Sequence, residues 1–85
     1  MKKYFKHWAE SDLGEGTVYL EVTDGWPSRQ VEVYEDEWRG ADEKRNEWLA
    51  DQPLDELGLE PENEMSAAEF ESIWQEALRR CPQLS

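Results

Sequence analysis

Basic residues, cysteine and histidine are all scarce in this 85-residue chain. The lone cysteine, Cys81, forms no internal disulfide, which excludes a disulfide-stapled secreted domain. One cysteine and one histidine also fall short of the four protein ligands of a structural zinc site. No stretch approaches the roughly 20 apolar residues of a membrane helix. Lys2, Lys3 and Lys6 have no apolar run behind them, so no export signal is visible and a cytoplasmic location is the default expectation. No serine stands in a nucleophile motif, and Cys81 is expected beside helix-terminal carbonyls that raise a thiol pKa, so a nucleophilic enzyme lacks a candidate.

What the chain has in excess is negative charge: 21 Asp and Glu against 9 Lys and Arg, a net of −12. Residues 32–64 hold 13 of the acids and three of the bases, between two nearly neutral ends. A field of one sign repels nucleic-acid backbones and anionic lipid and attracts cationic surfaces, so direct binding of a polyanion is excluded and a basic protein partner is expected. The competing explanation is solubility alone. Five Trp, three Tyr and two Phe put large side chains into one small core, which argues against disorder despite 35% charged residues. Eighty-five residues suffice for one domain, 1–85, with a single core.

Periodicity places β structure first. Residues 4–8 are aromatic-rich and precede the glycine-bearing turn 12–16. In 17–22, Val18, Leu20 and Val22 share one face while Thr17, Tyr19 and Glu21 share the other; in 29–35, Val31 and Val33 alternate likewise. The two runs predict an antiparallel hairpin. Its connection, 23–28, is longer than a two-residue turn and leaves Trp26 either at the tip or folded back across the sheet edge. Gly40 interrupts 38–50, where 43–50 is expected as a short helix burying Arg45, Trp48 and Leu49. Two prolines, a glycine and Leu54, Leu57 and Leu59 make 52–61 an ordered loop.

The final segment has the strongest local signal. Ser66 and Glu69 form a capping box, and Phe70, Ile73, Trp74, Ala77 and Leu78 recur as one apolar stripe. Arg79 and Arg80 suit the carboxyl end of the helix dipole, and Pro82 ends it. A helix over 66–80 is about 22 Å long, enough to cross a small sheet.

Candidate chemistries are few. Residues 51–62 carry acids at the first, fifth and twelfth positions of an EF-hand-like loop, but Pro53 takes the third position and Glu56 stands where the turn needs glycine, so no metal or cofactor is expected. His7, the one imidazole, is expected as an ordinary strand residue, and no catalytic residue is assigned. Trp8 and Trp74 are expected in the core, whereas Trp26, Trp38 and Trp48 stand in acidic, loop-like stretches where a ring flanked by carboxylates suits an interface anchor.

The strand ending in Trp8, the run Tyr19-Leu20-Glu21-Val22, the Arg29-Gln30-Val31-Glu32-Val33 strand and the helical Glu69-Phe70-Glu71-Ser72-Ile73-Trp74-Gln75-Glu76-Ala77 pattern resemble a family of small uncharacterised bacterial domains. Members generally show glycine soon after the Val-Glu-Val strand, whereas here Glu35-Asp36-Glu37-Trp38 precede Gly40. The resemblance implies a fold and no established activity.

The expected architecture is α+β: a small antiparallel sheet of three or four strands, a C-terminal helix packed across one face, and the acidic middle segment wrapped around an edge. The expected function is a non-catalytic binding or accessory module, monomer or weak dimer, meeting a basic protein through Trp26, Trp38, Glu35, Asp36, Glu37, Asp42 and Glu43. The alternatives are a toxin-neutralising immunity protein or nucleic-acid mimic, and a small enzyme or ligand binder using His7.

Overall fold

Four consecutive strands use the amino-terminal half: β1 (Lys2–Ser11), β2 (Gly14–Thr23), β3 (Trp26–Tyr34) and β4 (Glu37–Asp42), an antiparallel meander in the order β1-β2-β3-β4. The computed structural model describes the chain except for Leu13, Asp36, 46–48 and Ser85, and of Gln83 only the backbone. The strands are longer than the periodic runs because the turns are shorter than expected. Asp24 and Gly25 close the β2–β3 hairpin as a two-residue turn, with φ of 51° and 87°. Asp-Gly tolerates that mirror-image geometry, which matches the strand twist. Pro27 sits inside β3 at a bulge opposite Glu21 and Val22, beyond the last β3–β4 pair, Arg29↔Asp42. Sheets admit proline at such places.

The fourth strand occupies residues expected to be broken by Gly40. Gly40 marks close packing instead: a Cβ there would stand 2.2 Å from Leu84 Cδ1. The short helix expected over 43–50 is not found among the described residues: 43–45 form a bend, in which Asp42 Oδ1 accepts from the amides of Lys44 (2.9 Å) and Arg45 (2.8 Å), and 49–50 are irregular. Trp48 lies outside the described residues.

The helix α1 (Ala67–Arg80) packs across one sheet face, as its stripe requires. Ser66 Oγ accepts from the Glu69 amide at 3.1 Å, while the Glu69 carboxylate accepts from Lys6 Nζ at 2.8 Å, tying the first turn to β1. Phe70, Trp74, Ala77, Cys81 and Leu84 bury against Val31, with Tyr4, Tyr19, Val33, Trp38 and Ile73 around them. Among the described residues no helix is long and apolar enough to cross a membrane.

The acidic middle segment does more than wrap an edge. The Ala50 amide donates to Gln30 Oε1 (2.9 Å), that of Leu54 to Gly25 O (2.8 Å), and that of Met65 to Tyr4 O (2.9 Å). The chain thus crosses the second sheet face, rounds the β1 edge where Glu64 bridges Phe5, and enters the helix on the first face. Leu54, Leu57 and Leu59 pack on Phe5, Leu20 and Val22, forming a second core. Both faces of the sheet are therefore covered, and the inward polar positions of β2 and β3 must be satisfied internally.

Candidate functional site

Among the described residues Glu21 is the most deeply buried charge, at 2% exposed. It faces the helix from β2, and its cross-strand partner Arg29 faces the same way from β3. Arg29 Nε and Nη2 donate to Glu21 Oε1 (2.9 Å) and Oε2 (2.5 Å), and Ser28 Oγ, swung inward by the bulge, donates to Oε1 at 2.8 Å. The guanidinium also donates from Nη1 to Glu71 Oε1 at 3.2 Å and from Nη2 to Glu71 Oε2, and it stands 5.1 Å from the ring centroids of Phe70 and Trp74. One cation thus joins two strands to the helix through two carboxylates and two aromatic rings. Burial pushes the Glu21 carboxyl upward, but the bonds from Arg29 and Ser28 prevail and hold it at about 2.

An open cleft of about 500 Å³ lies over this cluster, between the start of β1, the bulge and the end of β4. Its wall carries the cations Lys2, Arg29, Lys44 and Arg45 alongside Glu21, Asp42 and Glu43. Four of the nine basic residues of a strongly acidic chain thus meet at one end of the sheet. The cleft holds hydroxyls at Thr23 and Ser28, which bond each other at 2.8 Å, but the adjoining carboxylate, held at about 2, is a poor general base at neutral pH. His7 does not line it; the His7 ring donates from Nδ1 to Trp8 O at 3.0 Å. Burial pushes the Cys81 thiol upward, and its Sγ donates to Trp38 O at 3.3 Å. Among the described residues no three His, Cys, Asp or Glu side chains converge as metal ligands do.

The residues expected to meet a partner do not form one patch. Trp26, 54% exposed, opens β3 beside the two-residue turn, and Asp42 and Glu43 line the cleft at that same end. Glu35 and Glu37 lie at the opposite end, about 17 Å away along β4. Glu37 accepts from Arg39 Nε at 3.1 Å, and Asp36 is outside the described residues. Trp38 is half-buried against the helical core, with the Arg80 guanidinium 5.0 Å from its ring. Trp8, expected in the core, is instead 62% exposed: it lies beyond Lys6, where the first helical turn meets β1, toward the β1–β2 turn.

The longest acidic surface is the segment covering the second face. Asp51, Asp55, Glu56, Glu60, Glu62 and Glu64 are all exposed, and no Lys or Arg occurs between Arg45 and Arg79. The ion pairs among the described residues use other acids. The leucines beneath hold this segment to the sheet, and Glu60 and Asn63 cap one another's backbone in a turn of 3-10 helix.

Sequence reasoning missed the Glu21–Arg29–Glu71 cluster because period-2 alternation only placed Glu21 on the face opposite Val18, Leu20 and Val22, with nothing to say that a helix covers it. The available signal was a pair of opposite charges three residues before and four residues after Asp24-Gly25, with Glu71 one residue beyond Phe70 on the helix. Compared with protein-family models, with curated proteins and with solved structures, the chain matches none.

Proposed function

We propose that the protein is a non-catalytic binding module that engages a basic protein partner through the acidic cover of its second sheet face. The supporting observation is the run of six exposed carboxylates over 51–64, without a neighbouring cation in sequence, on a segment fixed by Leu54, Leu57 and Leu59. An ordered array loses less freedom on binding than a disordered acidic tail, so its charge serves specificity and association rate as well as solubility. The acids at 35–43 are weaker candidates: Glu37 faces Arg39, and Asp42 and Glu43 share their cleft with Lys44 and Arg45.

The test is capture from lysate of the source cell by the immobilised chain, at low and at physiological salt, beside a variant with Asp55→Asn, Glu56→Gln, Glu60→Gln and Glu62→Gln. The expected result is one stoichiometric basic protein, retained at physiological salt and lost with the variant. A diffuse set of basic proteins that disappears as salt rises would refute the proposal and leave solubility as the explanation of the charge. Competition of the captured protein by nucleic acid would mark the module as a nucleic-acid mimic.

A further inference from the structure

β1 has one edge bonded to β2 and another that is only half covered. Met65 donates to Tyr4 O and Glu64 bridges Phe5, which closes the edge at its beginning. Because backbone groups point alternately to the two edges of a strand and the β1–β2 register runs unbroken, Lys6, Trp8 and Glu10 also direct their N–H and C=O groups away from β2. The Phe5–Glu64 bridge, with Met65 N on Tyr4 O, aims the Lys6 N–H at Asn63 O, and the His7 ring donates to Trp8 O, which leaves that carbonyl a second lone pair; the Lys6 C=O, the Trp8 N–H and the Glu10 backbone groups face no backbone partner among the described residues. The opposite edge of the sheet is held at two points: Cys81 Sγ donates to Trp38 O, and Asp42 N donates to Arg45 O.

We infer that this open edge pairs, antiparallel and centred on Trp8, with the same edge of a second copy of the chain. The reason is its self-complementarity. With Trp8 opposite Trp8 of the second copy, Lys6 falls opposite Glu10 and Glu10 opposite Lys6, all on the helix-bearing face. Outward-facing residues then meet outward-facing residues, forming about four backbone hydrogen bonds, two between the Trp8 residues and two from Glu10 N–H to Lys6 C=O. Trp8, at 62% exposed a large apolar ring left outside the core, becomes a cross-strand aromatic pair. Pairing ends at Lys6 because Met65 already occupies Tyr4 O, and the result is a closed two-fold dimer with one continuous eight-stranded sheet. This surface is separate from the cleft, and its test does not depend on any partner of the acidic cover.

The test is analytical ultracentrifugation of the full chain at ~150 mM salt, where exposed charges are screened beyond a Debye length of about 8 Å. The unmodified chain is expected to dimerise with rising concentration. Lys6→Glu and Glu10→Lys each place like charges opposite one another twice and are expected to weaken association about tenfold. An equimolar mixture of the two variants is expected to recover it as a heterodimer, because each new charge then meets its opposite. Amide exchange supplies a readout free of mutation: the Trp8 and Glu10 amides gain protection with concentration, while those of His7 and Ala9, bonded to β2, and of Lys6, aimed at Asn63 O, are protected throughout. A chain that stays monomeric to roughly 1 mM, a dimer indifferent to both single variants, or a mixture that does not recover would overturn the inference. Should either variant fail to fold by circular dichroism, concentration-independent exchange at the Trp8 and Glu10 amides of the unmodified chain would overturn it equally.

Discussion

Replacing Glu21 with Gln probes the cluster that joins sheet to helix. The substitution keeps volume and leaves an oxygen able to accept from Ser28 and Arg29 Nε, but it removes the charge opposite a half-buried guanidinium and turns an NH₂ group toward Arg29 Nη2. A Glu21 carboxyl held at about 2, against its ordinary 4.5, corresponds to about 3 kcal/mol of folding free energy at neutral pH. Breaking a buried pair by deleting one partner costs about 3–5 kcal/mol, and Glu71, which stays bonded to Arg29, moderates the loss. Glu21→Gln is therefore expected to lose about 2–4 kcal/mol from a domain whose total is on the order of 4–13 kcal/mol. For a domain this size the midpoint of melting falls by about 10–25 °C.

The assay is urea and thermal unfolding followed by circular dichroism at pH 7 and at steps down to pH 2. Because the folded-state pKa is depressed, the stability due to ionised Glu21 is fully present above the unfolded pKa of about 4.5 and is lost as pH falls toward about 2. The gap between the two proteins should close over that window. A variant within about 0.5 kcal/mol of the unmodified chain at pH 7, or a gap of the same size at pH 7 and pH 2, would refute the reasoning.

Other perturbations give distinct outcomes. Gly40→Ala drives a methyl into Leu84 and is expected to cost about 1–3 kcal/mol in denaturant unfolding, against the small change expected of an exposed strand glycine. Trp74→Ala is expected to cost about 3–5 kcal/mol while Trp8→Ala stays within about 0.5 kcal/mol in dilute solution, a contrast read by the same titration. Leu57→Ser should free the acidic cover, seen as limited proteolysis within 51–64 at a protease level that leaves the sheet and helix intact. Cys81 should resist thiol reagents in the native protein near neutral pH and react on unfolding, because burial raises its pKa and removes its access; native-state labelling at the unfolded rate would contradict this.

Signals that act over a few residues were legible from the sequence. The apolar stripe from Phe70 to Leu78, the Ser66 cap and the Val18-Leu20-Val22 and Val31-Val33 alternations place the helix and two central strands without any long-range information, because each follows from local geometry. The charge map likewise restricts partners whatever the fold. Pairing and coverage belong to tertiary structure. Gly40 reads as a breaker until Leu84, arriving from the far end of the chain, fills the space its missing side chain leaves. Glu21 reads only as lying opposite Val18, Leu20 and Val22 until a helix covers its face and Arg29 and Glu71 close around it. Leu54, Leu57 and Leu59 reveal that an acidic loop has an apolar underside, but not which face of the sheet it covers. A local pattern fixes the direction of a side chain; what that side chain meets depends on elements remote in sequence, and that meeting decides whether a charge is paired, a tryptophan exposed or an edge left open.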